Sequence, residues 1–262
     1  MLEEERHHEE RSTYYFRRPD VELLDTLPGD GRGNPVGYTG LTWSGFRPSD
    51  DSCTYGYNIP ANLLATSTLR DLAGLSEDKS IRTRALQLAT ELEEAVAEHG
   101  VTDTESDGGI WAYEVDGLGQ GLLMDDANLP SLLSLPLLAD IEKSNPLYQR
   151  TRKFVLSENN PFFFSGTVLT GIGSPHSPEG WVWPIALATQ GLTSEDPAEA
   201  RALVRTIAET TAGTNHVHES ICCDDADLFT RPWFSWADSM FCLLTMQAAA
   251  PEQVVLPGRQ AG

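Results

Sequence analysis

The chain has 262 residues and a formal charge of −21, from 39 acidic and 18 basic residues, with 40% apolar and 22% charged residues. That length suffices for one large domain with a sizeable core. A surface this acidic repels phosphate backbones and anionic headgroups, so nucleic acid and membrane are excluded as expected partners, while a neutral substrate such as a sugar is compatible.

The polar start, MLEEERHHEERSTYY, has no apolar centre and does not read as a signal peptide. Residues 1–13 are expected as a disordered tail, followed by a short strand at Tyr14, Tyr15 and Phe16. Residues 28–40, PGDGRGNPVGYTG, hold five glycines and two prolines and must be loop. The aromatic segment that follows is too irregular for an amphipathic helix. Helices are expected over 62–73 and 77–99; in the second, Ile81, Ala85, Leu88, Leu92 and Val96 recur at helical spacing and Gly100 stops the run. Alternation around Trp111, Tyr113 and Val115, then Asp116-Gly117, predicts a hairpin. Helices follow over 129–142, 146–157, 183–190, 197–211 and 232–249, separated by long loops, with a disordered tail over 251–262. No run of 18 apolar residues offers a membrane span.

Helix pairs alternating with long loops fit an all-α architecture, an α/α barrel of two concentric helix rings with short β-hairpins in the loops. Loops this long are usually functional, and the pattern gathers them at one end. About seven helices fall short of the twelve in a closed ring of six pairs, so residues 14–250 read as a partial barrel, incomplete at the amino-terminal side. Such a ring would leave an apolar face uncovered beside the helix from Asn62.

Four segments hold most of the unusual residues. The first, Trp43 to Asp51, sets Asp50 and Asp51 beside aromatics. Apolar walls and a neighbouring carboxylate are what tune a general acid; an Asp pair capping a helix is the competing reading. The second holds Asp125, Asp126 and Asn128, residue types that grip adjacent sugar hydroxyls, although Asn128 also suits a helix cap. The third, Gly171 to His176, is glycine-rich but lacks the Lys-Ser/Thr of a phosphate loop, leaving His176 as a candidate for a hydroxyl. The fourth, His216-Val-His218-Glu219, lacks a further metal ligand at helical spacing, so no metal or other cofactor is expected and Glu219 is the candidate general base. The four cysteines (Cys53, Cys222, Cys223, Cys242) form no CxxC pair and are expected as free thiols. All six tryptophans lie in or beside these segments, and indoles with carboxylates on converging loops suit a carbohydrate.

The strings WSGFRPSDD, GIWAYEVDGLGQGLLMDDANLPSLLSLP, LSENNPFFFSGTVLTGIGSPH and HVHES…DDADLFTRPWFSWADSMF resemble glycoside hydrolase family 125, over about Tyr14 to Leu244. Its fungal members include meiotically up-regulated proteins. The resemblance implies an (α/α)6 barrel and an inverting, metal-independent exo-α-1,6-mannosidase acting on mannose-containing oligosaccharides or N-glycans. It places the general acid at Asp50 or Asp51, with Asp51 preferred, and the base at Glu219. Trp43, Arg47, Asp125, Asp126, Asn128, His176, His218 and Trp233 are the expected substrate-binding residues. Because members are longer, the alternative is a truncated, inactive remnant that still binds mannose.

Overall fold

The computed structural model describes residues 2–103 and 108–249, so the expected tail over 251–262 lies outside the described residues. Residues 2–13, expected as a tail, are described in the structure. They form two short helices, α1 (Leu2–Glu5) and α2 (His8–Arg11), because their polar residues find partners. His8 is 2% exposed and stacks on Trp43 with ring centroids 3.6 Å apart. Its Nε2 meets Arg32 O at 2.9 Å, and Arg6 donates to Gly40 O and pairs with Glu91. No strand forms at Tyr14 to Phe16; that stretch is extended, with Phe16 N donating to Gly31 O. The turn α3 (Pro28–Gly31) carries Gly29 and Asp30 in the left-handed region.

The strand β1 (Tyr57–Asn58) leads into α4 (Ile59–Leu75), capped by Asn58, whose side chain accepts from Ala61 N. Helix α5 (Lys79–His99) starts at Asp78, which accepts from the amides of Ser80 and Ile81, and ends at Gly100. Leu69 and Ala73 of α4 meet Ala85, Leu88, Ala89 and Leu92 of α5 in a small core of their own. The expected hairpin is present. After β2 (Val101–Thr102) come β3 (Ile110–Trp111), β4 (Glu114–Val115) and β5 (Gly121–Leu122), with Asp116 and Gly117 in the β4–β5 turn.

The helix expected over 129–142 is reduced to one turn, α6 (Leu135–Leu138). Pro130 and Pro136 lack the amide a helix interior needs, so the leucine-rich run folds as turns. Helix α7 (Pro146–Val155) starts at Asn145, whose side chain accepts from Leu147 N and Tyr148 N. Then follow β6 (Phe163–Ser165), β7 (Thr170–Ile172), β8 (Trp181–Val182), the almost wholly buried α8 (Pro184–Leu192) and α9 (Pro197–Glu209), capped by Asp196. The described residues close with β9 (Ser220–Cys222), β10 (Asp225–Thr230) and α10 (Ser235–Ala249).

Helices α8, α9 and α10 pack on one another, and α7 packs on β3. The strands form small antiparallel sheets in the order β1-β4-β5, β10-β9-β8, β2-β3 and β6-β7. The helices therefore build the body while the sheets brace the loops that carry the unusual residues. One core runs from Leu41 and Trp111 through Tyr148 and Trp183 to Leu244. Beside α4 a groove of about 380 Å3 is open, lined by Leu2, Glu5, Trp43, Phe46, Ala61 and Ala65. No described helix is long and apolar enough to cross a membrane.

Candidate active site

The Arg47–Asp51 stretch is a tight turn closed by a bridge between Phe46 and Ser52. Arg47 O accepts from Asp50 N at 3.0 Å, and Arg47 N donates to Asp51 O at 2.8 Å. Pro48 occupies the position where turns favour it, and Asp50 takes φ +70°, tolerable for aspartate. The turn separates the two carboxylates: Asp50 is exposed on the surface of the loop, and Asp51 is 1% exposed.

Arg47 is not available to a sugar. Its Nε donates to Glu114 Oε1 at 2.6 Å and its Nη2 to Thr54 Oγ1 at 3.3 Å, all beneath the loop. Glu114 uses its second oxygen to accept from the amides of Thr54 and Tyr55, at 2.8 and 2.9 Å. Burial opposes the guanidinium charge, but the bond and charge of Glu114 outweigh it and raise the Arg47 pKa further above its usual range. This pair fixes the loop that carries Asp50 and Asp51 to β4.

Asp125 is likewise occupied by main chain. Its two oxygens accept from Leu132 N and Leu133 N, at 2.8 and 2.9 Å, and shape the turn that replaces the expected helix. Burial pushes its pKa up to about 8, against the opposing pull of those two amides. Asp125→Ala leaves two buried amides without acceptors and is expected to cost about 2–5 kcal/mol in chemical denaturation. An unchanged midpoint would show that the turn holds without it.

Asp126 is equally buried. Its Oδ1 accepts from the amide and side chain of Asn128, and its Oδ2 from Ser174 Oγ at 3.2 Å. Burial raises the Asp126 pKa. Ala127 N donates to Gly173 O, joining this loop to the Gly171–His176 loop. Gly173 is required by close approach: a Cβ there would lie 2.2 Å from Trp181 O. The junction delivers His176, whose Nδ1 is 2.9 Å from Asp51 Oδ1. His176 is therefore a partner of Asp51 as well as a residue of the cleft wall.

Glu219 is 7% exposed, immediately ahead of β9, where its amide donates to Thr230 O. The β9–β10 hairpin returns Arg231 to it, with Nε 2.9 Å from Glu219 Oε1 and Cζ 5.6 Å from the Phe234 ring centre. Arg231 holds φ +40°, a strained value for a non-glycine residue. His218 turns the other way: it is fully buried, stacked on Phe229 at 3.8 Å, with its nitrogens facing Pro232 O and Thr211 O. It anchors the hairpin. Trp43 is buried under His8, whereas Trp233 is 66% exposed beside His216.

A cleft of about 450 Å3 opens over these loops, lined by Tyr14, Phe16, Arg18, Asp25, Phe46, Asp50, His176 and Arg231, a volume suited to a small ligand. Among the described residues no group of three or more His, Cys, Asp or Glu is arranged to hold a metal ion. The bonded Asp51, and more weakly the charges of Glu219 and Asp126, favour the protonated form of His176. Asp125 and Arg47 instead support the loops. Sequence reasoning singles out neither Arg231 nor Glu114. A lone glutamate inside the apolar run Ile110 to Val115 is the signal that a buried cation must be near.

A family model described as metal-independent alpha-mannosidase (GH125) matches residues 1–246. The Meiotically up-regulated gene 157 protein of Schizosaccharomyces pombe is 43% identical over 238 residues, covering 89% of this chain and 47% of that protein. A Streptococcus pneumoniae protein from a family of metal-independent α-mannosidases, solved in a non-productive complex with α-1,6-mannobiose, superposes with a TM-score of 0.91 at 40% identity. That match covers 94% of this chain and 59% of the bacterial one. The chain thus spans about half the length of the curated relative it matches and less than two thirds of the solved one.

Proposed function

The chain belongs to glycoside hydrolase family 125, the metal-independent α-mannosidases, and from that premise we propose that it hydrolyses non-reducing terminal α-1,6-linked mannose with inversion at the anomeric carbon. The substrate class is a mannose-containing oligosaccharide such as an N-glycan. Support for it comes from the bacterial relative held with α-1,6-mannobiose. The observation that carries the reading is two buried carboxyl groups, each held by a different kind of residue that lines the cleft. Asp51 is joined to a titratable imidazole, and Glu219 to a permanently charged guanidinium that orients it.

Inversion needs one carboxylic acid to protonate the leaving oxygen and one carboxylate to take a proton from the attacking water, with room for that water between them. Asp51 suits the first role better than Asp50, because it is buried and bonded to His176 whereas Asp50 stands exposed at the outer rim. Asp126, Asn128 and Ser174 form a buried network that holds the loop of His176 in place. The exposed indole of Trp233 suits stacking on a sugar face.

The fold is read as part of an (α/α)6 ring. Among the described residues, α4, α5, α7, α8, α9 and α10 are the helices longer than four residues, half of the twelve in six closed pairs. The test is hydrolysis of α-1,6-mannobiose followed by proton NMR. β-Mannose is expected as the first product. First appearance of α-mannose overturns inversion, and binding without hydrolysis turns the reading into that of a mannose-binding remnant.

A further inference from the structure

The Asp51–His176 contact leaves two ends open. Nδ1 of His176 meets Oδ1 of Asp51 at 2.9 Å, while Oδ2 of Asp51 is buried with no hydrogen-bond partner. A buried anionic oxygen without a donor is costly, so Oδ2 is a place for a proton or for a donor brought by a ligand. His176 lines the cleft. The charged groups that face it come from three segments: Asp51 from the 46–52 turn, Asp126 from the loop after β5, and Glu219 from ahead of β9. The Trp183 ring stands edge-on at 6.4 Å. The hydrogen bond to Asp51, with the charges of Asp51, Glu219 and Asp126, outweighs burial and raises the His176 pKa above the usual 6.5.

Resting on the reading of Asp51 as the general acid, we propose that Asp51 and His176 hold one labile proton between them, with Nδ1–H donated throughout to Oδ1 and the proton resident on either Asp51 Oδ2 or His176 Nε2. In the forward step Oδ2–H protonates the glycosidic oxygen as its bond to the anomeric carbon breaks and the electron pair passes to that oxygen. Water bonds to the anomeric carbon and gives a proton to Glu219. Asp51 is then an anion beside a neutral imidazole, and Glu219 is protonated. Glu219 returns its proton to solvent. His176 takes one from solvent at Nε2, and its transfer through water in the cleft to Oδ2 reloads the acid. The imidazole keeps the acid supplied at pH values where a solitary aspartic acid has lost its proton. The alkaline limb of the pH–rate profile therefore belongs to the pair and not to either residue.

The test joins a spectroscopic and a kinetic arm. The six histidines are titrated by 1H–15N NMR, with His176 assigned by its absence in His176→Asn. In the wild-type protein the His176 midpoint is expected above about 6.5, and Asp51→Asn is expected to lower it. On α-1,6-mannobiose, His176→Asn moves the alkaline limb of kcat/KM to lower pH, a loss of about tenfold at a given alkaline pH for each unit of displacement. A residue that only braced the loop would lower the whole profile without moving its limb. A wild-type midpoint at or below about 6.5, or a limb that His176→Asn leaves in place, overturns the proposal. Should Asp51→Asn fail to fold, the wild-type titration decides. If the wild-type protein does not hydrolyse mannobiose, the functional reading has failed, and NMR alone judges the pair: a raised midpoint that falls in Asp51→Asn supports it, and an insensitive one overturns it.

Discussion

Glu219→Gln is expected to lower kcat on α-1,6-mannobiose by about 10²–10⁴-fold, the usual cost of losing one acid–base group, with the thermal midpoint nearly unchanged. The amide matches the carboxylate in shape and still accepts from Arg231, so the β9–β10 hairpin keeps its anchor. It cannot take a proton from water, which is the role proposed for Glu219. Asp51→Asn is expected to cost the same order, because the amide keeps an oxygen for His176 but has no acidic proton to give the leaving group. Asp50→Asn provides the contrast: the exposed left-handed position accepts asparagine readily, and a smaller loss is expected. Steady-state kinetics on the three variants, each checked for folding by circular dichroism, decide the assignment. Full activity in Glu219→Gln removes it as base, and a larger loss in Asp50→Asn than in Asp51→Asn exchanges the two aspartates.

Glu114→Ala is expected to destabilise the protein by about 3–5 kcal/mol in chemical denaturation, because it strands a buried guanidinium. The amides of Thr54 and Tyr55 lose their acceptor at the same stroke. Replacing both partners, as Arg47→Met with Glu114→Leu, removes the uncompensated charge and is expected to recover part of that loss. Activity is not expected to follow stability back, since the 46–55 loop still lacks its tie to β4. Recovery of both together would mean that the ion pair has no part in placing Asp51. A change below about 1 kcal/mol in Glu114→Ala would mean that Arg47 finds another partner.

These expectations mark where the sequence was readable. Helix α5 was legible because its apolar stripe, the acceptor at Asp78 and the stop at Gly100 all agree. The 129–142 run was not, since leucine periodicity outvoted two prolines whose missing amides decide the outcome. Residues 2–13 look like a tail because charged residues rarely pack; here Arg6 and His8 are satisfied by Gly40, Glu91 and Arg32, all distant in sequence. The partners of Arg47 and His218 were equally invisible. Residue type and segment marked both as substrate contacts, and only the fold shows that Glu114 occupies one and main-chain carbonyls the other. Asp51 and Glu219 could be proposed from sequence because their chemistry is local to their segments. Arg231 was missed because its importance arises from a hairpin bringing it back on Glu219.

The joining of Asp51 to His176 has a consequence for how the molecule comes together. The two residues are 125 positions apart, and Arg47 and Glu114 are 67 apart. The α4–α5 hairpin, by contrast, closes between neighbours in the chain. Closing long loops is entropically expensive before any contact rewards it, so local helix pairs form ahead of distant junctions. The cleft is then a late product of folding, present only once nearly every other element is in place. An intermediate rich in helix would still lack it, and regaining helix content and regaining the cleft are separate events.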